Sequence, residues 1–317
     1  MAGHWTERDI PDQRGRCAIV TGATGGLGYA TARALAGAGA EVILAARNGA
    51  RGAQALDRIR AAVPAAVVRF ELLDLGSLAA VAAFAERLES AGRPVDLLVN
   101  NAGVMAYPTR RATADGFEAQ FGTNHLGHFA LTLRLIPLLR RGQDARVVTV
   151  SSLAHRRGAI RFDDLQSTRY VPWAAYAQSK LANLMFALEL QRRSVAQGWG
   201  IASIAAHPGL SATDIVANGP GSGSGPAARL LTRASGLLLP LVAQSAGRGA
   251  LPILYAATAP QARGGAYYGP LGLREMRGPP GEARIMPQAL NTAVAARLWD
   301  VSLELVALRG QAALTAA

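Results

Sequence analysis

The residues Thr21-Gly22-Ala23-Thr24-Gly25-Gly26-Leu27-Gly28 constrain the fold of this chain more than any other stretch. They join a short continuous apolar run, Cys17-Ala18-Ile19-Val20, to an alanine-rich segment from about Leu27 to Ala38 that stops at Gly39. An apolar run of that length reads as a strand buried on both faces, and the segment after it as a helix. Glycines at the junction let the backbone turn tightly and approach a phosphate, which the free N–H groups and the dipole of the helix N-terminus then hold. Any tight strand-to-helix turn can use such a cluster; its place between the first strand and the first helix is what points to a dinucleotide. Gly22, Thr24, Gly25, Gly26, Leu27 and Gly28 are the predicted contacts.

The alternation then repeats. Apolar runs recur at Val42–Ala46, Val67–Leu73, Leu97–Val99, Val147–Val150 and Ile201–Ala205, with helical periodicity between them, as in Leu78-Val81-Phe84-Leu88. Strands alternating with helices mean βαβ units and a parallel sheet, whose ligand crevice lies at the carboxyl ends of the strands. The 317 residues, half of them hydrophobic, suit one large α/β domain. A polar arm, residues 1–14, precedes it. The glycine- and serine-rich stretch Gly219–Pro226 and the cluster Gly278-Pro279-Pro280-Gly281 read as loops within that domain, since neither separates two apolar cores. Residues 287–309 are predicted to hold a C-terminal helix that packs onto the body.

Charge and cysteine content narrow the class further. The formal net charge of +12 raises nucleic acid or an acidic membrane surface as a partner, but the arginines are spread along the chain without a basic run. No nucleic-acid partner is therefore expected. The single cysteine, Cys17, offers neither a disulfide nor a metal site, and no metal is predicted. Met1 to Arg16 lacks the apolar core of a secretory signal, and the apolar stretch Leu237–Val242 is far shorter than the ~20 residues that span a bilayer. The expectation is a cytoplasmic protein without stable membrane insertion.

Several stretches at predicted strand ends match a nucleotide. The second strand runs into Arg47-Asn48, about 20 residues past the glycines, where an acid would bind the ribose hydroxyl of NAD. An arginine there clasps a 2′-phosphate instead, so NADP(H) is predicted over NAD(H); in a chain this rich in arginine, a surface role is the alternative. Asp74, followed by Leu75, is placed to accept from an adenine amino group or to cap the helix that begins near Gly76. Asn100-Asn101-Ala102-Gly103 ends the fourth strand, where Asn101, Ala102 and Gly103 line the adenine-ribose side or shape the turn.

Tyr176-Ala-Gln-Ser-Lys180 carries the candidate chemistry. Residues four apart share one helix face, and a cation beside a phenol lowers its pKa from about 10 by favouring the phenolate. Lys180 is the one lysine in the chain, which marks its compact ammonium as chosen. An isolated pair of this kind also fits a surface tyrosine and lysine.

Taken in order, Thr21-Gly22-x-x-x-Gly26-x-Gly28, Asn100-Asn101-Ala102-Gly103, Asn124, Ser152, Tyr176-x-x-x-Lys180 and His207-Pro208-Gly209 resemble the short-chain dehydrogenases/reductases over about residues 14–270. Thr123-Asn124-His125-Leu126-Gly127-His128-Phe129, Tyr176–Asn183 and the 24-residue interval from Ser152 to Tyr176 are similar to the branch of retinol-dehydrogenase-like, WW-domain-oxidoreductase-like and protochlorophyllide-reductase-like enzymes. The resemblance implies a single doubly wound Rossmann-type α/β domain with a parallel sheet and a substrate lid after the sixth strand, at residues 210–243. It implies that Tyr176 exchanges a proton with the substrate oxygen, that Ser152 hydrogen-bonds that oxygen, and that Lys180 lowers the Tyr176 pKa and holds ribose hydroxyls. Asn124 would support a water chain. Pro208, Gly209 and Leu210 would pass near the nicotinamide, with Thr213 a contact to its carboxamide or the diphosphate. The family commonly forms dimers or tetramers through the helices carrying Asn124 and Tyr176, so a homodimer or homotetramer is implied as well.

The apolar composition of the lid points to a small hydrophobic ketone, aldehyde or alcohol as substrate, or to leucines that pack on the core or a second subunit. C=C reduction, epimerisation with bound cofactor and a non-catalytic cofactor-binding regulator are the rival readings. His125 and His128 are expected to pack in the interior, His155 to sit in a loop or at a pocket rim, and Tyr267 and Tyr268 to edge the pocket or fill the core.

Overall fold

The structure, a computed structural model, describes residues 4–211 and 244–307. The Gly219–Pro226 stretch, Thr213 and nearly all of the predicted lid lie outside the described residues. Within them, eight strands form one sheet: β1 Cys17–Thr21, β2 Glu41–Ala46, β3 Val68–Leu72, β4 Leu97–Asn100, β5 Arg146–Val150, β6 Ala202–Ala206, β7 Tyr267–Gly272 and β8 Arg277–Glu282. Their spatial order is β3-β2-β1-β4-β5-β6-β7-β8, with β1 to β7 parallel and β8 antiparallel to β7. Each of the first six strands falls within about a residue of the apolar run that predicts it.

Helices cover both faces: α1 Gly26–Gly37, α2 Gly49–Ala62, α3 Leu78–Ala91, α5 Pro172–Ala196, α6 Ala246–Thr258 and α7 Thr292–Leu305. The fourth, α4, joins Ala119–Phe121, a π-helical turn Gly122–Leu126 and Gly127–Leu139. Asn48, Ser77, Ser245 and Asn291 start α2, α3, α6 and α7, each side chain accepting a backbone N–H of the first turn. Strand side chains alternate between two apolar layers. Cys17 and Ile19 pack with α3, α4 and α5, whereas Ala18 and Val20 pack with α1, α2 and α6. No helix among the described residues is long and apolar enough to cross a membrane.

The cluster Gly278-Pro279-Pro280-Gly281, expected to be a loop, forms the middle of β8 instead. Proline cannot donate to a sheet ladder, but β8 has one neighbour, and Pro280 lies opposite Pro270 on β7. Between the two strands Leu273, Arg274 and Glu275 take φ of 47, 55 and 68°. Left-handed backbone costs a non-glycine residue about 1–2 kcal/mol.

Apolar side chains of α4 and α5 pack against α7 of the same chain. The Trp299 ring lies 5.0 Å from Phe129 and stacks on Phe186 at 5.9 Å. His125 Nε2 meets Ser302 Oγ at 3.0 Å, and the Arg193 guanidinium covers Trp299 at 4.5 Å. Trp299→Ala is expected to remove about 3–5 kcal/mol of unfolding free energy in a urea titration, the range for emptying a large buried aromatic site; a loss below about 1 kcal/mol would mean that α7 is only loosely docked.

Candidate active site

The sheet order reverses between β1 and β4, and the crevice opens there at the strands' carboxyl ends. Thr21 at the end of β1 ties its walls together. Its Oγ1 accepts from the Asn101 and Ala102 N–H groups at 2.9 and 3.0 Å, and its carbonyl accepts from Asn101 Nδ2 at 2.8 Å. Gly22 turns away at φ 68°, so close that a Cβ would meet Ala102 Cα at 2.9 Å; a Cβ on Gly28 would meet Asn101 Nδ2 and the Gly22 carbonyl at 2.5 Å each. The glycines are therefore required by packing within the turn as well as by any ligand. Gly25 begins α1 with no side-chain cap, which leaves first-turn N–H groups as donors for an anion.

A cavity of about 520 Å³ runs along this crevice. Gly22, Thr24, Gly25, Gly26, Leu27 and Gly28 line it, with Arg47, Asn48, Asp74, Leu75, Asn101, Ala102 and Gly103. Asn48 has a second task as the cap of α2, accepting from the Arg51 N–H at 2.9 Å. Asp74 does not cap α3: its Oδ1 accepts from the Gly76 N–H at 2.9 Å, and Ser77 is the cap. The sequence reading missed Arg51, Val104, Met105, Tyr107, Arg111 and Thr123, which also line the cavity. Arg51 lies in the first turn of α2, just past Arg47 and the cap Asn48, and its place near that strand end could have flagged it. Arg111 lies flat on the Tyr107 ring at 4.4 Å, a contact of a loop without periodicity.

Past Gly103 lie the residues expected from the sequence to exchange a proton. A Cβ on Gly103 would meet Asn124 Oδ1 at 3.2 Å and Lys180 Nζ at 3.5 Å. The π-helical turn swings Asn124 inward, where Oδ1 accepts from the Val104 N–H at 2.8 Å while Nδ2 donates to the Val104 carbonyl at 3.0 Å and to Ser179 Oγ at 2.9 Å. Ser152 Oγ accepts from the Ala154 N–H at 3.2 Å and caps the turn Leu153–Arg157. Ser151 faces the core and donates to the Lys180 carbonyl at 2.7 Å. Lys180 donates to the Val150 carbonyl at 3.1 Å and sits 5.8 Å from the Tyr176 ring centre. Burial dominates both titrating groups. It pushes the Tyr176 phenol up to about 12 against the opposing Ser152 hydrogen bond, and pulls the Lys180 ammonium down to about 8. The sequence implies a lowering of Tyr176 by Lys180; in this structure the shift is upward, and desolvation is its largest cause.

Pro208, Gly209 and Leu210 follow β6 and pack against the β7–β8 hairpin, with the Leu210 N–H donating to the Met276 carbonyl at 2.8 Å. Thr213 lies outside the described residues. His125 and His128 are buried as expected. The Asn124 carbonyl 2.9 Å from His128 Nδ1 only accepts, so that nitrogen carries the proton, and Nε2 accepts from the Thr21 hydroxyl at 2.9 Å. Burial holds the His128 ring neutral, with its pKa lowered to about 4. His155, expected in a loop or at a rim, lies in the short turn Leu153–Arg157 and is fully buried beneath Ser152, its Nδ1 2.7 Å from the Ser152 carbonyl. Tyr267 and Tyr268 fill the core. Among the described residues no cluster of three or more His, Cys, Asp or Glu side chains could hold a metal.

Comparison with known proteins agrees with this geometry. The family model for short chain dehydrogenases matches residues 16–220. The chain is 42% identical to the polyprenol dehydrogenase of Mus musculus over 315 residues, 98% of this chain and 89% of that one. It is 39% identical to retinol dehydrogenase 12 of Homo sapiens over 298 residues, 93% of this chain and 87% of that one. Among solved structures, an uncharacterized protein from Mycobacterium paratuberculosis superposes with a TM-score of 0.78 at 40% identity, covering 96% of this chain and 98% of that one. The RhlG/NADP active-site complex of Pseudomonas aeruginosa gives 0.60 at 26% identity, covering 78% and 91%. Agreement of this length, on a sheet that reverses at the same glycine turn its sequence announces, means that the chain belongs to the short-chain dehydrogenase/reductase family of oxidoreductases.

Proposed function

We propose that the protein is an NADP(H)-dependent oxidoreductase that moves hydride between the nicotinamide and a hydrophobic ketone or aldehyde, or the matching alcohol, with Tyr176 as general acid and base. The observation that carries this reading is a buried phenol beside Ser152, with the chain's one lysine 5.8 Å from its ring centre, past the inner end of a nucleotide-sized crevice. The uncapped start of α1 and the glycine cradle fit a dinucleotide. When bound, that cofactor supplies or takes the hydride.

The protein's own residues do the rest. Gly22 to Gly28 hold the diphosphate, Asp74 and Leu75 meet the adenine, and Asn101, Ala102 and Gly103 border the adenine ribose. Arg47, joined by Arg51, clasps the 2′-phosphate. In reduction Tyr176 gives its proton to the carbonyl oxygen while Ser152 donates a hydrogen bond to the same oxygen. A phenol with its pKa near 12 is protonated at neutral pH and so ready to donate. Lys180 holds ribose hydroxyls and stabilises the phenolate left behind. Asn124 fixes Val104 and Ser179 around the pair and supports the water chain that returns the proton; Pro208, Gly209 and Leu210 border the nicotinamide.

Two further observations support the choice of ligands. Arg47 and Arg51 share the cavity wall beyond β2, and the RhlG structure, 26% identical, is an NADP complex. Trp173, 54% exposed, meets Tyr176 edge-on at 6.0 Å and offers apolar surface beside the phenol, and the relatives are named for polyprenol and retinol, both apolar alcohols.

The test is oxidation of NADPH and NADH against a panel of hydrophobic ketones and aldehydes; turnover confined to small charged carbonyls would count against the reading. Tyr176→Phe is expected to lower kcat by about 10²- to 10⁴-fold, the usual worth of a positioned general acid, with NADPH binding retained in a fluorescence titration. Replacing Arg47 and Arg51 by alanine should weaken NADPH by roughly 10- to 100-fold, the worth of one or two charge-assisted hydrogen bonds, and leave NADH nearly unchanged. Carbonyl reduction should hold through neutral pH and fall as Lys180 loses its proton above about 8. A pH–rate profile of Lys180→Met that keeps the same alkaline fall would show that another group controls it.

A further inference from the structure

Leu273, Arg274 and Glu275 at the tip of the β7–β8 hairpin are the one place among the described residues where three non-glycine residues in a row take positive φ. Strained backbone persists where its surroundings over-determine it, and it gathers at functional sites. Here the surroundings are the partners of one carboxylate. Glu275 Oε2 accepts from Arg156 Nη2 at 2.7 Å and from His207 Nε2 at 3.1 Å, and Oε1 accepts from the Arg284 N–H at 3.1 Å. The His207 tautomer follows: Nδ1 accepts from the Gly209 N–H at 3.2 Å, so Nε2 carries the proton and donates. Burial favours the neutral acid, but the His207 hydrogen bond, the Arg284 N–H and the Arg156 charge hold Glu275 down to about 2.

The two side-chain partners come from separate parts of the active site. Arg156 lies in the turn Leu153–Arg157 that Ser152 caps, and His207 opens the segment Pro208-Gly209-Leu210. The hairpin backbone completes the clamp. The Leu210 N–H reaches the Met276 carbonyl, and Gly209, at φ 67°, passes so near that a Cβ would meet that oxygen at 2.3 Å. His207 is fully buried, so its charge-assisted bond to Glu275 is shielded from water.

We infer that Glu275 is a positioning residue for the reaction, holding the Ser152 turn and the segment from His207 to Leu210 in one fixed relation through Arg156 and His207. The inference rests on the reading above of Ser152 as the residue that binds the substrate oxygen and of Pro208 to Leu210 as bordering the nicotinamide. A brace serving the hairpin alone would have effects confined to the hairpin.

Amide hydrogen exchange followed by mass spectrometry separates the two, with Glu275→Ala compared to the unaltered chain. Exchange is expected to rise by about tenfold or more in residues 152–158 and 207–211 together, as local opening becomes easier, with α1 to α3 unchanged. NADPH should bind about tenfold more weakly, while adenosine 2′,5′-bisphosphate, which lacks the nicotinamide half, binds within about twofold of normal. Glu275→Gln keeps an acceptor for His207 but loses the charge facing Arg156, so it should give smaller changes in the same two segments, and it decides the matter if Glu275→Ala does not fold. Acceleration limited to residues 267–284, or spread evenly along the chain, overturns the proposal. If the unaltered chain binds neither nucleotide, the cofactor reading fails, and the exchange pattern still decides the role of Glu275.

Discussion

The hydroxyl of Thr21 is the point on which the architecture of the site depends. It stands where the sheet order reverses, accepts two N–H groups from the end of β4, and donates to His128 on α4. His128 in turn binds the carbonyl of Asn124, whose side chain holds Val104 on one side and Ser179 on the other. Ser179 adjoins Lys180 on α5. One chain of short hydrogen bonds thus runs from the glycine turn to the helix turn that carries Tyr176 and Lys180, through groups that are almost wholly buried. In a low-dielectric interior such a chain gains strength only while every member is satisfied, so it fixes the geometry at both ends.

Burial explains the electrostatics more than charge pairing does. Tyr176 and Lys180 are both nearly inaccessible, and desolvation drives each toward its neutral form, the phenol upward and the ammonium downward. A sequence shows that the two residues share a helix face, but the size of the desolvation depends on what covers them. The same holds for the histidines. His125, His128 and His155 are uncharged because three different packings enclose them, by aromatic rings, by α4 against β1, and by Tyr267 beneath the Ser152 turn.

Much of this molecule was legible before its structure. Strands buried on both faces leave continuous apolar runs, which is why β1 to β6 could be read to within about a residue. The β7–β8 hairpin was not, because Gly278-Pro279-Pro280-Gly281 has turn composition and only an edge position makes it acceptable as a strand. The glycine turn, Arg47 and Asn101 to Gly103 line the crevice as read, since each directly follows a strand whose carboxyl end faces it. Arg111 and Tyr107 stand in a loop held by Gln120 and Tyr170, and no periodic pattern reports such contacts.

The sequence by itself determined the alternating parallel sheet, the glycine turn at its reversal and the pairing of Tyr176 with Lys180 on one helix face. Those features depend on local period and on neighbours three or four residues apart, which any stretch of chain carries within itself. The tertiary structure alone decided that α7 covers the apolar faces of α4 and α5, that His155 is buried, and that Glu275 bridges Arg156 and His207. Those contacts join residues separated by 68 to 177 positions, as His207 from Glu275 and His125 from Ser302, and distances of that kind are set only when the layers close on one another.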